Sequence, residues 1–333
     1  MSITITTGGI TMTGGGVSFT APPPSTPTAA WFAGGGGAGG QASIVQRITY
    51  ATDTETATVR GPLDGVRYSQ GATSDLNYGW YAGGRIAPSI LSMVSRITYA
   101  TDTNTASNRG PLSYSAYYIA ATGNTTYGWF GGGLNESGGP TGPVSTVSRI
   151  TYATDTDTGT SRGRLSTSFF GMAAAGNTTD GWFGGGENDA IGTTSIVNRI
   201  TYATDTATAS VKGPLSLARQ RLSATGTPSY GWFGAGYNPN TPSPFFSSVD
   251  RIDYANDTTT ASTRGPLSQA RIGLAASTDS TTYGWFGGGF NPPSPGTKSI
   301  VDRITYATDT ATASVRGSLS SARTYLAASS GIQ

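Results

Sequence analysis

Short runs of apolar residues, many alternating with Thr or Ser and each broken by Gly, Pro, Asn or Asp, recur along almost the whole chain. In one copy, residues 118–122 (YIAAT) precede the turn Gly123-Asn124-Thr125-Thr126, and residues 127–133 (YGWFGGG) follow it. A variable loop then leads to residues 146–152 (TVSRITY), a turn over 153–158 and a last run into Arg162-Gly163. Runs of this length, rich in Val, Ile, Thr, Tyr and Phe, read as strands. The unit therefore predicts four antiparallel strands joined by turns, and it repeats about every fifty residues.

One tryptophan marks each copy, at Trp31, Trp80, Trp129, Trp182, Trp232 and Trp285, within W-F/Y-G/A-G-G or a near variant. A second phrase, R-I-T/D-Y, begins at Arg47, Arg96, Arg149, Arg199, Arg251 and Arg303. Repetition at this period means a solenoid or a propeller. The register of the ends selects the closed form. The first copy begins at a second strand, 30–34, and the last stops after a first strand, 324–329. Docking that final strand inside the N-terminal three completes a sixth blade and removes open sheet edges. The expected fold is all-β: a six-bladed propeller of four-stranded antiparallel blades over 29–333, closed by its C-terminal strand, with an extended N-terminal arm.

These units resemble the kelch repeat, whose pattern runs from an Arg before the first strand, through a Gly-Gly ending the second, to an Asp and Thr in the turn before the fourth. Arg219, Arg271 and Arg323 match the leading Arg; the glycines after each Trp match the doublet; Asp53, Asp102, Asp155, Asp205, Asp257 and Asp309 match the turn. The fourth strand departs from the pattern, with small or short polar residues where an aromatic is expected, so thinner or looser outer packing is anticipated. The resemblance implies a propeller of six or seven blades and a binding scaffold more often than an enzyme.

Composition narrows the chemistry. The chain has no Cys and no His, which removes thiolate and imidazole nucleophiles and bases and the commonest zinc, copper and iron ligands. The copper site of kelch-like galactose oxidase needs those residues. Charged residues are 11% and the net charge is +2, too weak a field to point to nucleic acid or a membrane surface. No cofactor is expected. Residues 34–40 (GGGGAGG) fit G-x-G-x-x-G by letter, but they follow a repeat strand and open no helix; glycines that let inner strands converge near the axis are the expected reading. No carboxylate pair stands out beyond Glu187 and Asp189 in one loop. The repeated Trp and Arg residues read as packing and inter-blade ties, with the turn Asp or backbone carbonyls as Arg partners, because a binding site needs asymmetry where a packing motif needs repetition.

Recognition is expected on the loops between second and third strands, 85–93, 134–146, 187–194, 237–248 and 290–298, which differ in length and content and emerge on one face with the P-L-S connections. Candidate contact residues there are Ile86, Ile90, Leu91, Tyr237, Phe245, Phe246 and Phe290.

Residues 1–20 differ from the repeat. They alternate apolar and Thr/Ser positions around Gly turns, suited to adding strands to another sheet, with Ile3, Ile5, Ile10, Met12, Val17 and Phe19 as the candidate anchor. Residues 21–28 (APPPSTPT) form a stiff spacer. No secretory leader or membrane span is evident. Arm, spacer and ring, with the Gly/Thr-rich near-identical repeats, resemble kelch-like virion structural proteins of marine tailed phages. The expected function is non-enzymatic: a virion surface protein on capsid or tail, present in several copies, held to other virion proteins by the arm and displaying the propeller for adhesion to a host glycan or protein, or as decoration. The alternatives are a secreted or cell-surface binding propeller, in an extracellular location, and a carboxylate-dependent glycan-degrading enzyme.

Overall fold

The computed structural model describes residues 2–6, 9–13, 27–135, 142–292 and 296–330. Six four-stranded antiparallel sheets form the blades of a propeller. We number blade 1 as the one containing Ala29–Ala33, Val45–Thr49 and Thr58–Arg60. Its first, innermost strand is Ala327–Ser330, which pairs Ala30 with Ser330 and Ala33 with Ala327. The chain ends thus meet in one sheet, and the first strands of neighbouring blades pack side by side around a closed circle.

First strands begin later than the apolar pattern predicts. In blade 3 the strand is Ala120–Gly123, and Tyr118, at φ 55°, lies outside it. Tyr325, at φ 57°, delays the closing strand in the same way. Second strands end early for a related reason: Tyr127–Gly131 stops where Gly132 and Gly133 turn to φ 67° and 100°. These glycines serve a left-handed turn that is also crowded, since a Cβ at Gly132 would fall 2.6 Å from the Phe169 carbonyl oxygen. The amide of each second glycine donates to a backbone carbonyl of the next blade, as in Gly84 to Ala116 and Gly133 to Phe169, both 2.8 Å. The glycine-rich stretch after Ala33 forms a small hairpin, Gly36–Gly37 against Gly40–Gln41.

Successive residues of a strand face opposite sides of its sheet, so Trp and the following Phe or Tyr enter two different inter-blade layers. Trp129, Val147 and Leu165 of blade 3 pack with Phe183, Ile200 and Tyr202 of blade 4, and five equivalent clusters fill the other interfaces. Stability therefore resides between blades, as expected of a repeat architecture.

A polar clasp accompanies each layer. Each third strand runs into a short 3-10 turn, Tyr202–Thr204 for example, capped by the turn Asp. Asp205 of blade 4 accepts from the Trp129 indole at 2.8 Å and pairs with Arg149 at 3.0 Å, both from blade 3. Trp129 also stacks on Tyr202 with centroids 3.8 Å apart. The same set recurs at all six interfaces, joining Trp31 and Arg47 to Asp102, Trp80 and Arg96 to Asp155, Trp182 and Arg199 to Asp257, Trp232 and Arg251 to Asp309, and Trp285 and Arg303 to Asp53. One carboxylate therefore satisfies several buried donors that would otherwise be costly.

The outer strands are short, two to five residues in Ser314–Val315 and Thr160–Arg164. Their first two residues are exposed, and the basic residue that follows turns inward: Arg162 reaches Asp205 at 3.6 Å and Lys212 reaches Asp257 at 3.5 Å. These residues form a second basic ring around the turn carboxylates. The adjoining glycine is equally constrained. The Gly213 amide donates to the Asp257 carbonyl at 2.8 Å, and a Cβ there would fall 2.0 Å from the Thr259 carbonyl oxygen.

The leading arginines lie inside blades. Arg219 pairs with Asp250 at 2.7 Å and Arg271 with Asp302 at 3.0 Å, all four side chains fully enclosed. Burial lowers both guanidinium pKa values and the partner carboxylates oppose the shift. In blade 1 the position of Asp250 is taken by Gln46, so Arg323 donates instead to the carbonyls of Gly34 and Ile44, and burial pushes its pKa down to about 10.

In the arm, Ser2–Thr6 pairs antiparallel with Gly9–Thr13, bringing Ile3 opposite Met12 and Ile5 opposite Ile10 along the backbone. Val17, Phe19 and most of the proline spacer lie outside the described residues.

Candidate functional site

The loops between second and third strands surround one mouth of the central channel. Each begins beside the segment that leads into its blade's first strand, through the bridges Tyr68 to Arg85, Tyr117 to Leu134, Phe170 to Glu187, Gln220 to Tyr237 and Ile272 to Phe290. Several continue as two-residue hairpins, Arg85–Ile86 with Ser89–Ile90 and Glu187–Asn188 with Gly192–Thr193. The variable segments are therefore tied to the ring at their bases.

Of the seven candidate contact residues, Ile90 is buried, and Ile86, Leu91, Tyr237, Phe245, Phe246 and Phe290 are half-buried. Tyr237 and Phe245 pack on each other with centroids 5.2 Å apart, and Phe290 bridges Thr297 within its own loop. These aromatics fold back over their own loops. The apolar residue that stands out on this face is Ile191, 57% exposed at a hairpin tip. Glu187 accepts a hydrogen bond from the Gln220 side chain, whereas Asp189 is exposed.

Inside this circle of loops sits a feature that strand patterning does not reveal. Ser69, Tyr118, Gly171, Arg221, Gly273 and Tyr325 occupy equivalent positions, one per blade, all with φ between 55° and 66°. Their backbones form a closed circuit: Tyr118 N–H donates to Ser69, Gly171 to Tyr118, Arg221 to Gly171, Gly273 to Arg221, Tyr325 to Gly273, and Ser69 to Tyr325, at 2.5–3.0 Å. Below the circuit the channel wall is built of small residues, including Ala72, Ala121, Ala174, Ala224, Ala276 and Ala328. The opening holds about 140 Å³. A signal for this ring was present in the sequence, in one column of the repeat that varies from Gly to Ser, Arg and Tyr two positions before near-uniform small residues.

The opposite end of the channel is lined by the turns between first and second strands, with Ser74, Gly176, Thr227, Ser280 and Ser330. Those turns are regular; Asn124 Oδ1, for instance, accepts from the amides of Thr126 and Tyr127. The two faces thus differ, one repetitive and one individual. No protein-family model matches the chain, and no curated protein sequence matches it.

Proposed function

We propose that this protein is a non-enzymatic display module on a virion surface, attached to capsid or tail by its N-terminal arm and presenting the loop face for adhesion or decoration. The observation that carries the reading is the division of the ring: six interfaces built from the same clasp, and one face on which loop sequence and length vary around a channel mouth. A rigid scaffold with variation confined to one end is the arrangement that recognition surfaces use. The arm supports attachment, because its two strands pair only with each other among the described residues, leaving outer edges to which a partner sheet can add. Particle assembly with a chain starting at Ala29 tests the proposal. Loss of the folded propeller from the particle supports it, and incorporation at full occupancy removes the arm as anchor. A chain that associates with no particle and is recovered from the cell surface or medium favours the secreted binding propeller instead.

A further inference from the structure

The channel mouth carries three residues that the repeat does not require. At Gly171 and Gly273 the left-handed backbone is occupied by the residue that adopts it without strain. Tyr118, Arg221 and Tyr325 occupy the same backbone position at an energetic cost. Nothing in the inter-blade layers demands them, since those layers are complete without the mouth residues. Ser69 shares this backbone, but only Tyr118, Arg221 and Tyr325 place large side chains on it at the cavity mouth, where two equivalent positions carry glycine; strain kept there points to function.

The three side chains converge. Arg221 Nη1 donates to Tyr325 Oη at 3.0 Å, and its guanidinium lies 5.2 Å from the Tyr118 ring and 5.9 Å from the Tyr325 ring. The two phenol rings meet edge to face, centroids 5.4 Å apart. Phe170 flanks Tyr118 at 6.2 Å and Tyr68 flanks Tyr325 at 6.4 Å. Arg221 differs from the clasp arginines, each of which meets an Asp. Among the described residues its side chain has that one hydrogen bond, to the Tyr325 hydroxyl, and its buried Nε has no partner. The carboxylate that acts on it electrostatically, Glu187, is itself engaged by Gln220. Burial raises the Tyr118 pKa, so that phenol is neutral and cannot serve as the counter-charge.

We propose that this mouth binds an acidic sugar ring, with Arg221 receiving the carboxylate and Tyr118 and Tyr325 forming the aromatic wall beside the ring. A planar guanidinium suits a carboxylate in two-point contact, and a single cation with no ion-paired carboxylate among the described residues matches a monoanion better than a phosphate. This site rests on reading the propeller as a binding module and is independent of virion attachment.

The purified full-length chain is titrated with methyl β-D-glucuronide and, in parallel, with the neutral methyl β-D-glucoside and with acetate, by calorimetry and tyrosine-signal perturbation. Saturable binding of the glucuronide alone is expected. Arg221→Gly should weaken it at least about tenfold, the loss expected for a charge-assisted contact, with the thermal midpoint held or raised because glycine relieves the strained backbone. Tyr325→Gly should weaken it as well. Equal binding of the glucoside, equal binding of acetate, undiminished binding by Arg221→Gly, or no saturable glucuronide binding each overturns the proposal. Since no particle enters this experiment, its failure leaves the attachment reading untouched, and failure of arm-dependent assembly leaves this one untouched.

Discussion

The indole Nε1 of Trp285 donates to Asp53 Oδ2 over 2.9 Å, although 232 positions separate the two residues. It is the same bond that joins Trp129 to Asp205 between blades adjacent in sequence. The interface that closes the ring is therefore chemically no different from the other five. Tyr50 stacks on Trp285 at 3.9 Å, and Arg303 completes the clasp.

The clasp can be dissected at Trp182, which stacks on Tyr254 at 3.8 Å and donates to Asp257. Trp182→Phe keeps an aromatic face but leaves the carboxylate one donor short, and should cost about 1–3 kcal/mol. Trp182→Ala also opens a cavity and should cost about 3–5 kcal/mol. Chemical denaturation of both variants checks the ordering. Equal losses would mean that the hydrogen bond contributes nothing beyond packing.

Closure depends on Ala327–Ser330. Removing 320–333 takes away that strand, its pairing with Ala30–Ala33 and the Leu326 contact in the blade 6 to blade 1 layer. The inner edge of Ala29–Ala33 is then exposed. Calorimetry of the truncated chain should give a broadened transition with reduced enthalpy, accompanied by aggregation. An unaltered transition would show that the ring does not need the strand.

Among the described residues Tyr254 presents a buried hydroxyl without a partner, while its counterparts Tyr152 and Tyr202 bond to Thr73 and Thr122 at 2.7 and 2.9 Å. The position matching those threonines is Ala175, whose Cβ lies beside the same glycine face as the Tyr254 hydroxyl. Ala175→Thr should supply the missing bond and stabilise the protein by about 1 kcal/mol. A fall in thermal midpoint would mean that the added atoms are not accommodated.

Alkaline pH should unfold the protein cooperatively. Burial raises the pKa of Tyr50, Tyr81, Tyr99, Tyr114, Tyr152, Tyr202, Tyr254 and Tyr306 well above the ordinary value of 10. The folded state holds these phenols protonated, so their contribution is complete below pH 10 and falls as pH rises, because only the unfolded chain ionises them freely. Arg323, its pKa lowered to about 10, acts in the opposite sense, as do Arg67, Arg219 and Arg271, but these are four groups against the eight phenols. Phenolate absorbance of this group should appear together with loss of structure, at a rate set by unfolding. Stepwise ionisation of a chain that stays folded would contradict the enclosure of these hydroxyls.

The repeat period, the single Trp per copy and the incomplete terminal copies were enough to specify six blades and their mode of closure, because in-line repetition maps directly onto identical packing. The phrase R-I-T/D-Y and the turn Asp were visible as a pattern. That their partners lie one blade away, at Asp102 for Trp31 and at Asp53 for Trp285, depends on how sheets stack and is not carried by local propensity. The inward turn of Arg162 and Lys212 was hidden for the same reason, since an exposed strand and a basic residue read alike as solvated surface. Apolar loop residues such as Phe245 and Phe290 suggested a contact surface; the structure leaves them half-buried, each engaged within its own loop. Tyr118 and Tyr325 looked like strand residues because patterning registers side-chain polarity and not backbone hand. Only the closed ring of amides around the axis forces that left-handed turn, and it is the ring that brings Arg221 between two tyrosines from blades far apart in sequence.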